Sequence, residues 1–296
     1  MMVKAVGSSA TPSPEEAKEN APSSPFSAFH PYQYDELQFT SVLGNGRFGI
    51  VYHALYQDKP VAVKQPKTTC LPHDFQKEIE ILSTIASPYI VKFFGTIQSP
   101  HDGIVMEYMP GQSLFDLLNR QGGTLNWQRQ YHIPRDIACA LKYCHDNRII
   151  HRDLKTKNIL LDSNMRAKLC DFGLATNDPY GDKHVGTPYN MAPETWDRCH
   201  YSAKTDIYNF GMTLWTMTAG KNPYQGMTKK EEVRKWVSAG HREVITSSFP
   251  PKIAKLIKWC WSQNPKDRPT ADQVIAYLDQ NEEAVTSPKQ GGCVIC

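Results

Sequence analysis

The chain has 296 residues, of which 40% are hydrophobic and 21% charged, with a formal net charge of +3 at pH 7. That is enough apolar material for one large core or two lobes, and the charge is too mild to point to nucleic acid or a polybasic membrane surface. No apolar run approaches the ~20 residues of a membrane-spanning helix.

Residues 1 to about 30 are rich in Ser, Pro, Ala and Glu and hold almost no β-branched residues, which predicts a disordered tail, bounded here as 1–36. No charged-then-apolar signal pattern opens it. Leu43-Gly44-Asn45-Gly46-Arg47-Phe48-Gly49-Ile50-Val51 then carries Gly-x-Gly-x-x-Gly-x-Val. Such glycines let a backbone approach phosphates and aim N–H groups at them. A dinucleotide-binding turn would need a helix next. The residues that follow, 50–56, are β-branched and aromatic, and Asp58-Lys59-Pro60 reads as a turn, so the glycines lie in a hairpin.

Val61-Ala62-Val63-Lys64 is a third short strand ending on a lysine that suits the α- and β-phosphates of a nucleotide. A lysine so used needs a carboxylate to fix it. Phe75, Ile79, Leu82 and Ile85 recur at helical spacing, which predicts an amphipathic helix from near Asp74. Glu78 and Glu80 lie about 200° apart on it at ~3.6 residues per turn. Only one can face a cleft, and Glu78, one turn before Leu82, is the candidate.

His151-Arg152-Asp153-Leu154-Lys155-Thr156-Lys157-Asn158 packs a base, a phosphate-binding lysine and a metal ligand into eight residues. Alone, it would also suit a polar surface loop. Asp153 can align and deprotonate a hydroxyl, Lys155 can neutralise a transferring phosphoryl group, and Asn158 can hold Mg²⁺ through its amide oxygen. Lys168-Leu169-Cys170 reads as a strand that presents Asp171-Phe172-Gly173. Its carboxylate is placed to bind Mg²⁺ bridging phosphates, and Gly173 is expected to let the backbone turn.

The glycine-rich segment, the Val61–Lys64 strand, the 151–158 run, Asp171-Phe172-Gly173 and Ala192-Pro193-Glu194 occur in the order of the protein-kinase signature. Over roughly residues 37–280 the chain resembles that family. The resemblance implies an α+β bilobal fold: a small lobe (37–106) with a five-stranded antiparallel sheet and one key helix, a hinge (107–109) and a larger helical lobe (110–280). It implies ATP between the lobes with Mg²⁺ on Asn158 and Asp171, Lys64 paired to Glu78, and Asp153 as base assisted by Lys155. It further implies Met106 as gatekeeper, adenine contacts from Glu107 and Met109, and Val51, Ala62 and Leu160 around the ring. Leu82, Phe93, His151 and Phe172 match the stack that joins the lobes in active kinases, and Arg268 is expected to pair with Glu194.

Lys155 and the segment 186–194 resemble the serine/threonine pattern, in which Thr187 bonds Asp153 and Lys155. Trp259-Cys260-Trp261 and residues 265–270 resemble tyrosine kinases and the tyrosine-kinase-like group, so the combination points to that group, near the mixed-lineage kinases. The expected substrate is a protein. Dual specificity, or a kinase fold used only as a scaffold, are the alternatives. Arg152 resembles the arginine that binds a phosphate on the activation segment, with Thr176 and Tyr180 as candidate switch sites and Asp178 and Asp182 as acidic substitutes.

The eight cysteines show neither a disulfide framework nor zinc spacing, which favours a reducing, cytoplasmic compartment. Cys293-Val294-Ile295-Cys296 follows a polar tail, 281–296, and has the C-a-a-X form, so Cys293 is a candidate for prenylation and peripheral membrane association. A terminal Cys lies outside the usual X set.

Overall fold

Strand-forming residues between 30 and 107 build one mixed sheet. The computed structural model describes residues 30–46, 48–68, 72–97, 101–180 and 185–287. The strands are β1 (His30–Tyr32), β2 (Leu37–Asn45), β3 (Gly49–Tyr56), β4 (Lys59–Pro66), β5 (Phe93–Ile97) and β6 (Gly103–Glu107), ordered β1-β5-β6-β4-β3-β2. The expected five antiparallel strands are present as β2 to β6. A sixth, β1, adds in parallel to β5, pairing Pro31 with Thr96. The tail boundary at residue 36 is therefore too late. Tyr32 is buried with Leu37, Ala54, Val61, Val63, Ile97 and Val105 and packs edge-on against Tyr56 at 4.8 Å. One aromatic anchor in a three-residue strand leaves no periodicity to read.

The β3–β4 turn also lies one residue earlier than expected. Gln57 and Asp58 both have positive φ (48° and 59°), and Tyr56 pairs with Lys59. This is the two-residue hairpin whose twist matches the strands, and it leaves Pro60 free to enter β4.

Helix α1 (Pro72–Thr84) turns Phe75, Ile79 and Leu82 into the main core, with Ile85 packed just past its end. The large lobe follows with α2 (Leu114–Arg120), α3 (Trp127–Gln130), α4 (His132–Asp146), a small hairpin β7 (Ile159–Leu161) and β8 (Ala167–Leu169), then α5 (Pro193–Arg198), α6 (Ala203–Ala219), α7 (Lys230–Ser238), α8 (Pro251–Cys260) and α9 (Ala271–Thr286). Every residue of α6 from Thr205 to Met217 is buried, which marks a helix enclosed on all sides. A capping box of Ser202 and Thr205 starts it and Gly220, at φ 70°, ends it.

Arg268 fastens this lobe. Its two Nη atoms donate to Glu194 Oε1 and Oε2 at 2.7 and 2.8 Å, and its Nε donates to the Ser262 carbonyl at 2.9 Å. The guanidinium also lies 5.0 Å from the Tyr208 ring centroid. Arg268→Met leaves the Glu194 carboxylate without its cation, and removing one partner of a buried pair costs about 3–5 kcal/mol. The expected result is a matching loss in urea unfolding with no new intermediate.

Candidate active site

Residues from five elements converge between the sheet and the helical lobe. Lys64, near the end of β4, is 6% exposed, and its Nζ donates to Glu78 Oε1 and Oε2 at 2.6 and 2.8 Å and to Asp171 Oδ1 at 2.9 Å. Glu78 is buried on the inner face of α1, while Glu80 points to solvent. Burial alone would lower the Lys64 pKa, but the Asp171 and Glu78 carboxylates hold it above the ordinary lysine value. Burial pushes Asp171 up and Lys64 overrides it, leaving that carboxyl below its usual range.

The 150–158 segment is placed from below by α6. Asp206, fully buried, accepts from the backbone N–H groups of His151 and Arg152, each at 2.9 Å, and from His145 Nε2 at 3.0 Å. Burial would raise this carboxyl, yet the hydrogen bond and charge of His145 keep it below the ordinary range. Arg152 sits at φ 66°, a conformation non-glycine residues seldom adopt, and Asp206 clamps the backbone there. Sequence reasoning gives Asp206 no role in the site. Its signal is that it is the one carboxylate on a mostly apolar helix.

Asp153 is then held from three directions. Lys155 Nζ donates to Oδ2 at 2.6 Å, and Asn158 Nδ2 donates to Oδ2 at 3.2 Å. Thr187 donates to Oδ1 from its N–H at 2.8 Å and its hydroxyl at 2.7 Å, and Lys155 Nζ also reaches Thr187 Oγ1 at 2.9 Å. The bridge foreseen for Thr187 is thus present. His151 Nε2 lies 3.0 Å from the Cys170 carbonyl, and its ring meets Phe172 edge-on at 5.0 Å. Leu82, Phe93 and Phe172 share the core around it.

Asn158 directs its amide N–H groups at Asp153, at the carbonyl (2.9 Å) and at Oδ2. Its amide oxygen accepts no hydrogen bond among the described residues. Together with Asp171 this is a hard-oxygen donor set of one carboxylate and one amide, too small to cage a cation alone. Among the described residues there is no cluster of three His, Cys, Asp or Glu fit for a metal. The set fits a cation that arrives with phosphate oxygens of its own.

The glycine segment lies over this group at the β2–β3 turn. Leu43, Asn45 and Gly46 are exposed, Gly44, Phe48 and Ile50 half-buried, and Gly49 buried; Arg47 lies outside the described residues. A Cβ on Gly49 would meet the Gln65 carbonyl at 2.5 Å, whereas one on Gly44 would meet nothing within 4 Å. Gly49→Ala therefore forces β3 from β4 and is expected to cost about 1–3 kcal/mol. Gly44→Ala is expected to leave the thermal midpoint unchanged, a contrast that one melting experiment checks. At Asp171-Phe172-Gly173 the positive φ (62°) belongs to Asp171, not to the glycine. Gly173 is small because a Cβ would lie 3.2 Å from Glu78 Oε2.

Ala62 and Met109 are buried and Val51, Leu160, Met106 and Glu107 half-buried along the inner edge of the sheet and β7. Glu107 carries contacts the sequence did not suggest. Lys168 Nζ donates to its two carboxylate oxygens at 2.7 and 2.8 Å, and the Lys92 N–H donates to Oε2 at 3.1 Å, joining the end of β6 to β8. On the activation segment, Thr176 is 2% exposed and exchanges backbone bonds with Ile150, whereas Tyr180 is 71% exposed. Burial removes Thr176 from consideration as an accessible switch. Arg152 Nε donates to the Leu174 carbonyl, and its guanidinium lies 5.0 Å from the Tyr201 ring centroid. Asp178 acts on it only as a nearby charge; Asp182 and Cys293 lie outside the described residues. No helix among the described residues is long and apolar enough to cross a membrane.

The comparisons agree with this geometry. The model of the family described as protein tyrosine and serine/threonine kinase matches residues 37–278. A probable serine/threonine-protein kinase of Dictyostelium discoideum is 34% identical over 256 residues, covering 83% of this chain and 28% of the relative. Serine/threonine-protein kinase STY46 of Arabidopsis thaliana is 33% identical, with 82% and 44% covered. Serine/threonine/tyrosine-protein kinase HT1 of the same plant is 33% identical, with 81% and 65% covered. The chain thus spans less than two thirds of the length of each. A signature in order, a two-part fold and a family match over most of the sequence converge on one statement: the chain belongs to the protein tyrosine and serine/threonine kinase family.

Proposed function

We propose that this chain transfers the γ-phosphoryl group of Mg·ATP to serine and threonine hydroxyls of protein substrates. The observation that carries the reading is the double engagement of Lys64 with Glu78 and Asp171, which holds an ammonium and a metal-binding carboxylate in one buried cluster. Mg²⁺ held by Asp171 and Asn158 would supply charge neutralisation for the transfer. The chain's own residues do the rest. Lys64 orients the α- and β-phosphates, and backbone N–H groups among the described residues of the glycine segment cover them. Asp171 and the Asn158 oxygen hold the metal. Glu107 and Met109 present backbone groups to the adenine edge, beside Met106, Val51, Ala62 and Leu160. Asp153 orients the acceptor hydroxyl and takes its proton. Lys155 neutralises the charge that gathers on the transferring group.

The Lys155–Thr187 bridge over Asp153 supports serine and threonine as acceptors. Similarity to a relative named as a serine/threonine/tyrosine kinase, and to one named as a dual specificity kinase, supports dual specificity as the second reading. Phosphoamino-acid analysis of protein labelled with γ-labelled ATP decides between them. Phosphoserine and phosphothreonine alone fit the first reading, and substantial phosphotyrosine moves the assignment to the second. A prenyl group on Cys293 rests on its C-terminal tetrapeptide pattern. Intact mass from cells with a prenylation system tests it, and an unmodified thiol removes membrane tethering from the reading.

A further inference from the structure

A cleft of about 460 Å³ opens beside the Asp153 cluster, its lining including Lys155, Thr187, Phe115, Tyr189 and Met227. No Asp or Glu is among the described residues that line it, and it holds two lysines, Lys155 and Lys157. Lys155 is already neutralised by Asp153 at 2.6 Å. Lys157 is not: it is exposed, its Nζ lies 4.8 Å from the Phe115 ring centroid, and it forms no ion pair among the described residues.

The local structure explains why this charge is fixed and not merely solvated. Lys157 is the middle residue of a single helical turn, Thr156–Asn158, whose other two side chains are buried. Thr156 and Lys157 both line the cleft, but only Lys157 is exposed and charged, and the Phe115 ring gives its ammonium a face to rest on. The nearest acids along the chain are engaged elsewhere: Asp153 accepts from Lys155, Asn158 and Thr187, and Asp162 Oδ1 accepts from the N–H groups of Asn164 and Arg166. Asp116, next to Phe115, accepts from Ser113 N and Oγ, and Glu243 accepts from Tyr224 N. The cleft therefore presents an uncompensated positive charge close to the point where the acceptor hydroxyl would meet Asp153.

We propose that this cleft selects protein substrates with an acidic side chain near the acceptor hydroxyl, and that Lys157 is the residue that reads it. The proposal rests on the kinase reading above and names the substrate class of that same site. Lys157 follows Asp153 by four residues, at most about 15 Å of chain, which is about four residues of extended substrate at ~3.3 Å each. The acidic residue is thus expected within four positions of the acceptor. A basic residue there meets Lys157 as a like charge, and like-charge juxtaposition is what suppresses wrong partners.

The test uses the full chain and degenerate peptide mixtures with one fixed serine. In each mixture one position, from four before to four after the serine, is fixed as Glu, Gln or Lys. Initial rates of label transfer from γ-labelled ATP are measured for wild type, Lys157→Ala and Lys157→Glu. Wild type is expected to favour Glu over Lys about tenfold at one position or more. Lys157→Ala is expected to shrink that ratio toward one, and Lys157→Glu to invert it. Because the readout is a ratio within one enzyme, a general loss of activity does not imitate it. Equal labelling of Glu, Gln and Lys mixtures by wild type overturns the proposal and leaves the kinase reading standing. So does a Glu preference that survives unchanged in both variants. No label in any mixture, with nucleotide bound, overturns the kinase reading and this proposal with it.

Discussion

Asp153→Asn is expected to lower phosphoryl transfer by about 10²–10⁴-fold, the usual contribution of a positioned general base, while nucleotide affinity stays close to that of wild type. The split follows from what Asp153 touches. Its carboxylate oxygens engage Lys155, Thr187 and Asn158, and none engages Lys64. Oδ1 accepts from the Thr187 N–H and hydroxyl, and Oδ2 accepts from Lys155 and Asn158. An amide has one oxygen, so either orientation turns an NH₂ group toward two donors. Thr187 or Lys155 must give way, and the proton acceptor is gone in both cases. Steady-state transfer rates and a nucleotide titration on the same preparation check the result. Wild-type transfer by the variant would remove Asp153 from the base position.

The second large effect is expected from Lys64→Met. It removes the cation that bridges Glu78 and Asp171 and leaves the two carboxylates without it, with Glu78 3% exposed. Uncompensated buried charge costs about 3–5 kcal/mol near neutral pH, and transfer is expected to fall below detection because the phosphates lose their ammonium. The pH dependence carries a sign. In wild type the Asp171 pKa is depressed, so its contribution is present above the ordinary carboxylate value and lost as pH falls through the folded value. The Lys64 pKa is raised, so its contribution is complete below the ordinary lysine value and lost only as pH rises through the folded one. Burial already raises the Glu78 carboxyl in wild type against the pull of Lys64, so removing Lys64 leaves that burial unopposed and Glu78 binds a proton still more readily folded than unfolded. The stability gap between variant and wild type should therefore narrow from about pH 7.5 to about pH 5. Urea unfolding at the two pH values measures it, and a gap that widens in acid would show that Glu78 keeps another cation.

Particular residues show what could be read in advance. Glu78 was separable from Glu80 because a helix has a fixed period and only one of the two could share the face of Leu82. The glycines of residues 44–49 could be placed in a hairpin because β-branched and aromatic residues followed. The grouping of Asp153, Lys155 and Asn158 was legible because all three lie within six residues. What escaped depends on long-range packing. Nothing local in His30–Tyr32 announces a strand, since its stability comes from Tyr32 entering a core made by residues 37–105. The Lys168–Glu107 pair joins positions 61 residues apart. Thr176 and Tyr180 look equally available as letters, and only burial separates them. At Gly173 the residue type was legible and its reason was not: space beside Glu78, and not a turn, requires it.

The central claim is that Lys64, Asp153, Asn158 and Asp171 act together on a metal-bound nucleotide and a protein hydroxyl. The most direct test is incubation of the whole chain with γ-labelled ATP, with and without Mg²⁺, and a mixed protein substrate, followed by counting label in protein. Incorporation is expected to depend on Mg²⁺ and to be abolished in Asp171→Asn. A wild-type chain that binds Mg·ATP tightly and transfers no label would contradict the central claim.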